Sequence, residues 1–597
     1  MSNVRHRTIT PKNTKKPSKK PEEKPKKKAV KKTSDRKVSS KKSADKKTKQ
    51  SVKIIPLGGL CEIGKNMTAF EYGNDIVIID CGMAFPEDSM PGVDCVIQDF
   101  SYIRENQNKL RAIVLTHGHE DHIGGLPYFF REFKCPVYGG TLTVELVRHK
   151  LMENNINLSG IEFRAFKNGE TVKIGNNFKA EFVRVNHSIA DSYAIALKTP
   201  AGVILHSGDF KVDYTPINGK PIDLQRFGQL GKEGVLLFMC ESTNIEIEGN
   251  SPSERHVGEA FQRLFKDASG RIIVATFSSH VHRMQQIFTA AEKHGRHVCL
   301  SGRSMLNVFK VANSLGYIEM KPDTLIDIDD IDNYEDNEIV VLTTGSQAEP
   351  MSALSRMAYA SHKAVGIRQG DTVIISADPI PGNEKPIYRV INELYRQGAT
   401  VIYHSLDDVH VSGHAYRNEI KLLHSLIKPK YVMPVHGEYR MLYLHKKLAM
   451  SLGTPEENIF VMNNGDVLSI NADKAEITGV VPASAVLIDG KGAADINSRI
   501  LSERKHIGED GVVSIALVLD KKSGKLLDYP SINSVGFVEE DEKHVIHAEI
   551  AERVVSTLPK DDIESRVNTN SYKEQIRGLC FSKTRKRPLL LFNISVI

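Results

Sequence analysis

A chain of 597 residues is too long for one hydrophobic core, so three or more structured units are expected. No apolar run is long enough to span a bilayer, and the first residues lack the apolar segment of a signal peptide, which points to a cytoplasmic protein with no membrane partner. The formal charge of +7 is unevenly spread: residues 1–50 hold 20 Lys and Arg against 4 Asp and Glu, while the remainder holds 60 against 69.

The basic tail, with its run KKPSKKPEEKPKKKAVKK, has almost no large apolar residues and is expected to be disordered over 1–50. It reads as a polyanion-binding arm, for nucleic acid rather than membrane because aromatic and leucine anchors are missing. A solubilising leader is the bland alternative, and a transit peptide the weakest, since the tail is Lys-rich rather than rich in Arg and Ser. From Val52 onward, VKIIPLGG, DIVIIDCG, LRAIVLTHGH, AEFVRVNHS, GVILHSGDF and GVLLFMCEST read as buried strands that end in small, polar or histidine residues. Between about 255 and 400 the strands RIIVATF, RHVCLSG, EIVVLTTGS, DTVIISA and TVIYHS alternate with helical segments such as HRMQQIFTAAEKHG, the mark of a mostly parallel α/β unit. KYVMPVHGEYRMLYLHKKLAMS adds a strand and a helix. Beyond Asp489, GVVSIALVLD and RPLLLFNISVI flank helices expected at 543–558 and 571–583, a small terminal α/β domain.

The seven cysteines, at 61, 81, 95, 135, 240, 299 and 580, include no C-x-x-C pair. That pattern argues for reduced thiols and against a thiolate metal site, so a metal here must be held by His, Asp and Glu. The stretch THGHEDHIGG places His117, His119, Asp121 and His122 just past the strand LRAIVLT, with a helix expected to start near Asp121. His187 follows AEFVRV, Asp209 follows VILHSG, and His436 follows KYVMPV. Ligands of open α/β sheets gather beyond the carboxyl ends of strands, so these loops are expected to converge on one crevice. Any one of these histidines alone reads as an ordinary loop residue. Together they supply five imidazoles and two carboxylates, the donors that borderline divalent metals such as zinc prefer.

THGHEDHIGG, NHSIADS, HSGDF and PVHGEYR resemble the ligand motifs of the metallo-β-lactamase superfamily. Within it the chain is similar to the bacterial ribonuclease J family of β-CASP nucleases, from about Lys53 to the C-terminus, through PLGGLCEIGKN, TFSSHVHR, TTGSQAEPMSALSRMA, HVSGHA and KTRKRPLLL. The resemblance implies an αββα sandwich at 51–252 and 421–490, interrupted by a β-CASP α/β domain at 253–420. A linker at 491–503 and a C-terminal α/β domain at 504–597 follow. It further implies two zinc ions per subunit, one held by His117, His119 and His187, the other by Asp121, His122 and His436, with Asp209 bridging them. Manganese or magnesium is implied as an alternative support for activity. Asp94 and Asp489 match positions that hold a structural divalent ion, such as calcium, in some family members; as plain loop carboxylates they need no ion.

Three further loops read as phosphate grips. In HVSGHA, His410, Val411, Ser412 and Gly413 lead to His414, which the resemblance assigns to the scissile phosphate as proton donor or oxyanion partner; the glycine would let backbone N–H groups approach. Ser278 and Ser279 of TFSSHVHR lie at a strand-to-helix junction, where they either cap the helix or contact RNA, and Gly345–Gln347 form a second such junction. The family pattern breaks at His280, where members usually carry Asn, and at Glu241, where many carry Asp; either carboxylate can orient a ligand histidine. The implied activity is 5′-to-3′ exonucleolytic hydrolysis of 5′-monophosphate RNA with some endonuclease action, in RNA processing and decay. The implied partners are RNA, a second or fourth copy of the chain, and an RNA helicase or the ribosome. A zinc hydrolase of another superfamily branch and a non-catalytic RNA-binding module are the alternatives.

Overall fold

The structure, a computed structural model, describes residues 50–597 apart from 88, 218, 348–351, 380–383, 491, 496 and 497, with backbone alone for 492–495 and 498. The arm at 1–49, expected to be disordered, lies outside the described residues.

Two mixed sheets face one another. The first has eight strands, in spatial order 475–480, 466–470, 52–58, 67–72, 75–79, 110–114, 137–139 and 163–165. The second has six, in the order 431–435, 235–241, 202–206, 193–199, 178–184 and 171–174. Their inner faces interdigitate through Phe70, Ile79, Phe178, Phe182, Leu237, Met239 and Met433. Helices Leu126–Glu132 and Thr141–Glu153 cover the outer face of the first sheet. Helices Leu224–Glu233, Arg417–Ile427 and Tyr439–Ser451 cover that of the second. A strand so enclosed has no wet face, which is why VLLFMCE (Val235–Glu241) is buried along its whole length and shows no alternation.

The sandwich is completed by a chain that leaves and returns. Tyr431–Val435 pairs in parallel with Val235–Glu241, and Asp466–Ile470 pairs antiparallel with Val52–Gly58. In between lies a five-stranded, wholly parallel sheet in the order 297–301, 339–343, 272–275, 372–375 and 400–403. Helices pack on both of its faces, through Phe261, Phe288 and Phe309 on one side and Leu354, Ile391 and Leu394 on the other. The arrangement is the one the resemblance implies, a sandwich interrupted by an inserted α/β unit.

The chain ends in a three-stranded sheet, 531–535, 512–519 and 589–596, packed on helices Glu540–Thr557 and Asn570–Thr584. Part of the stretch expected as a linker is regular structure: Ser498–Asp510 is a helix. Ion pairs spaced four residues apart, Arg499 with Glu503 and Lys505 with Glu509, support it, although its polarity reads as loop. Among the described residues no helix is long and apolar enough to cross a membrane.

Candidate metal centre

The strand Leu110–Val114 delivers Thr116 and His117 to the crevice between the sheets, and the short helix Glu120–Ile123 then turns Asp121 and His122 inward. Gly82 makes room for this turn, because a Cβ there would stand 1.6 Å from the Asp121 carbonyl oxygen. Three imidazoles converge: His119 Nδ1 lies 3.1 Å from His117 Nε2 and 3.0 Å from His187 Nε2. Beside them Asp121 Oδ2 lies 3.4 Å from His122 Nε2 and 3.1 Å from His436 Nε2. Asp209 stands between the two groups. Its Oδ2 is 3.2 Å from His122 Nε2, 3.7 Å from His117 Nε2 and 3.8 Å from His187 Nε2. The donor atoms within each group, His117, His119 and His187 in one and Asp121, His122, Asp209 and His436 in the other, all lie within 4.8 Å of one another.

All five rings are aimed by what holds their other nitrogen, His119 by Ser188 Oγ, 3.4 Å from its Nε2. His187 Nδ1 donates to the Gly413 carbonyl at 2.7 Å, and His122 Nδ1 to Asp80 Oδ2 at 2.7 Å. Thr116 Oγ1 lies 3.0 Å from His117 Nδ1, and Thr243 Oγ1 lies 2.8 Å from His436 Nδ1. Such outer contacts fix tautomer and ring direction and leave the inward lone pair free. Two of the residues involved carry backbone strain. Asp80 and His436 have φ of 60° and 51° without being glycine, a conformation that persists where surroundings over-determine it. Asp80 accepts from the Thr116 N–H at 2.8 Å and its hydroxyl at 2.7 Å; the His436 N–H donates to the Gly59 carbonyl at 3.1 Å. Asp80, Thr116, Thr243 and Asn66, whose amide donates to the Asp121 carbonyl at 3.1 Å, escaped the reading of the sequence. Only Asp80 left a signal there, as a carboxylate directly after the apolar run IVII.

The electrostatics suit a cation. Burial, reinforced by neighbouring imidazoles, keeps His117 and His187 neutral far below their ordinary range, and burial lowers His119 to about 4. Burial opposes ionisation of Asp121 and Asp209, but the facing imidazoles outweigh it and hold both carboxyls well below the usual range. His122 is opposite in sense: burial is outweighed by Asp209, Asp121 and Asp80, which raise it well above 6.5. Among the described residues no Lys or Arg pairs with Asp121 or Asp209, so a divalent ion is the charge these carboxylates lack. Neutral imidazoles and carboxylates in this proportion are zinc-type donors.

The loop 410–415 divides. His414 joins the centre: its Nδ1 lies 2.7 Å from Glu241 Oε2 and 3.9 Å from Asp209 Oδ2. Glu241 therefore holds His414 and, through Oε1, the Phe210 N–H at 2.6 Å, rather than one of the expected ligand histidines. His410 points away, to Arg283 Nη1 at 2.9 Å. Val411 is buried packing, and the Ser412 hydroxyl accepts from Asn244 Nδ2 at 2.8 Å. Gly413 is small because of His187: a Cβ would meet its Cε1 and Nδ1 at 2.8 Å and Ser188 Oγ at 2.9 Å. Neither Ser278 nor Ser279 caps helix Val281–Lys293; the cap position is His280, whose ring is buried with both nitrogens lacking a hydrogen-bond partner. Gly345 has φ of 106°, and Gln347 Nε2 donates to the Asp378 carbonyl at 2.8 Å. Asp94 and Asp489 meet across a small sheet, but Asp94 Oδ2 accepts the Gly490 N–H at 2.7 Å and Asp489 is ion-paired with Arg504. Arg504 Nη1 also binds the Gly92 carbonyl at 3.0 Å. Asp489 thus has a guanidinium as its charge partner, and Asp94 a backbone N–H.

Comparison with known proteins covers the same ground from outside. Residues 63–221 match the model of the metallo-β-lactamase superfamily, 269–394 that of the ribonuclease J β-CASP domain, and 499–597 that of the ribonuclease J C-terminal domain. Residues 400–462 match the Zn-dependent metallo-hydrolase RNA specificity domain. The chain is 45% identical to ribonuclease J of Synechocystis over 82% of its length and 76% of that protein's. It is 40% identical to ribonuclease J 1 of Streptococcus pyogenes over 90% and 97%, and 43% identical to ribonuclease J of Thermus thermophilus over 78% and 82%. The chain belongs to the ribonuclease J family. The first three imidazoles, Asp121, His122 and Asp209 all fall in the superfamily match, while His414 and His436 fall in the RNA specificity match. The strand return that closes the sandwich thus brings His436 to the residues gathered by its first part.

Proposed function

We propose that this ribonuclease holds two zinc ions per subunit and acts 5′ to 3′ on 5′-monophosphate RNA, with some endonuclease action. Family membership makes the chain a metal-dependent ribonuclease. The observation that supports two ions is Asp209 facing both donor groups at 3.2–3.8 Å, and the direction and 5′-end preference follow the family resemblance. When bound, two such ions supply Lewis acidity for the phosphoryl oxygens and make water a nucleophile at neutral pH.

The protein's own groups do the rest. Glu241 Oε2 accepts a hydrogen bond from His414 Nδ1 and so leaves Nε2 for the substrate. Burial would deprotonate this ring, but Glu241, Asp209 and Asp121 outweigh it and raise its pKa to about 9. In this reading the ring held by Glu241 hands a proton to the departing 3′-oxygen. The buried rings of His117 and His187 exclude water from behind the centre. In this reading the basic arm binds RNA, the protein works in the cytoplasm in RNA processing and decay, and it forms dimers or tetramers that meet a helicase or the ribosome.

The test is RNA of one sequence labelled at the 5′ end and bearing one or three phosphates, incubated with zinc or manganese. Mononucleotides released faster from the monophosphate are expected. Equal rates with internal fragments would replace the exonuclease reading by an endonuclease one, and intact RNA would sink both.

A further inference from the structure

The chain passes between sandwich and β-CASP unit twice, outward near 251–254 and back near 409–415. Both crossings are gripped by buried charges outside the metal centre. Arg283, fully buried on helix Val281–Lys293, donates through Nε and Nη2 to the two oxygens of Glu254 at 2.8 and 2.9 Å. Its Nη1 reaches His410 Nδ1 at 2.9 Å, the Ser376 carbonyl at 2.8 Å and the Ser376 hydroxyl at 3.2 Å. Ser376 Oγ donates in turn to the Val409 carbonyl at 2.6 Å. From the sandwich side, Lys211 Nζ donates to the Pro252 carbonyl at 2.8 Å and the Ser412 carbonyl at 3.1 Å. One guanidinium of the β-CASP unit thereby ties the outgoing crossing at Glu254 to the returning crossing at Val409 and His410.

A buried ion pair adds little net stability, because desolvation offsets its attraction. Its effect here is register. Four residues after His410 comes His414, whose ring must stand against Glu241 and Asp209. Between them, the Gly413 carbonyl accepts a hydrogen bond from His187 Nδ1. We propose that Arg283 is a positioning residue for RNA hydrolysis: from the β-CASP side it sets the returning segment His410–His414, and so the placement of His414 over the metal centre. This rests on the role given above to His414. It makes the placement of the inserted domain a direct determinant of the chemistry, through one side chain that touches neither metal donors nor substrate.

Arg283→Met alone would strand the Glu254 carboxylate in the interior, so the variant to use is Arg283→Met/Glu254→Gln in the full chain. Assayed at saturating metal, so that any loosening of His187 through Gly413 is offset, its metal content by elemental analysis, its thermal unfolding and its KM for RNA should match the parent's. Its kcat should fall by about 10²-fold, the cost of a misplacement of about 1 Å. Arg283→Lys keeps the charge beside Glu254 but lacks the fork that also reaches His410 and Ser376, so kcat stays low. In a His414→Ala background the Arg283 changes should cost nothing further, since both act through one ring. Parent-like kcat in the folded, metal-replete double variant overturns the assignment, as do full recovery with Lys, a loss that adds to that of His414→Ala, or loss of bound metal. A His414→Ala enzyme at the parent rate would instead remove the His414 reading itself.

Discussion

Gly413→Ala tests whether this glycine exists for the metal centre or for the substrate. The added Cβ would sit 2.8 Å from Cε1 and Nδ1 of His187 and 2.9 Å from Ser188 Oγ, where ordinary contacts begin near 3.4 Å. Relief therefore requires a displacement of about 0.6 Å, and the crowded groups are poorly able to give. His187 is buried, its Nδ1 is bound to the carbonyl of Gly413 itself, and its Nε2 lies 3.0 Å from His119 Nδ1. Overpacking of this kind costs about 1–3 kcal/mol. Borne by the His187–His119 geometry, it weakens metal binding by about tenfold to a hundredfold. The assay is a titration with a competing chelator, followed by metal analysis and by cleavage of 5′-labelled RNA at saturating metal. Gly413→Ala should release metal at lower chelator concentration than the parent and recover part of its activity when metal is added back. If the glycine instead admits a phosphate to backbone N–H groups, metal affinity will be unchanged and KM for RNA will rise, and the crowding argument fails.

Asp209→Ala should lose more bound metal than His436→Ala, because Asp209 faces both donor groups and His436 one; two ions per chain in purified Asp209→Ala would refute the bridging geometry. A pH effect comes from outside the centre, where burial lowers His424 to about 4 against 6.5 for an unperturbed imidazole. Between those values the unfolded chain binds a proton that the folded chain does not, so stability present above pH 6.5 is lost as pH falls, by about 2 kcal/mol at pH 5. His424→Gln, which keeps a donor for His445 Nε2, should shallow the acid slope of urea unfolding, and an unaltered slope would refute this. Deleting residues 1–50 should weaken RNA binding and flatten its dependence on salt. An arm neutralising about five phosphates adds about 3.5 to the slope of log K against log[salt], and a truncated enzyme with the parent slope would rule the arm out as an RNA contact.

What the sequence could show depended on how local the cause was. The His-x-His-x-Asp-His run and the three later strand ends carry their meaning in residue type and position. The strand-end rule therefore gathered His117, His119, Asp121, His122, His187, Asp209 and His436 without any knowledge of packing. The parallel β-CASP sheet was equally legible, since strands buried on both faces read as unbroken apolar runs such as IIVA and IVVLT. Contacts fixed only by the folded chain were not. Arg504 folding back on Asp489, Glu241 turning to His414 rather than to a ligand ring, and Gly413 yielding space to His187 are each decided by tertiary geometry that no spacing encodes. His410 and His414 show the limit most sharply. They share one pentapeptide and one side-chain chemistry, yet one faces Arg283 and the other Glu241. A motif thus marks where chemistry gathers, while the assignment of roles within it waits on the partner each side chain finds. The charges that make those assignments, Arg283 and Glu241, are buried and lie in stretches that stand out in the sequence, but which histidine each one holds is set by the fold. Substitutions at such partners, rather than at the histidines they hold, are the ones that separate positioning from catalysis in this centre.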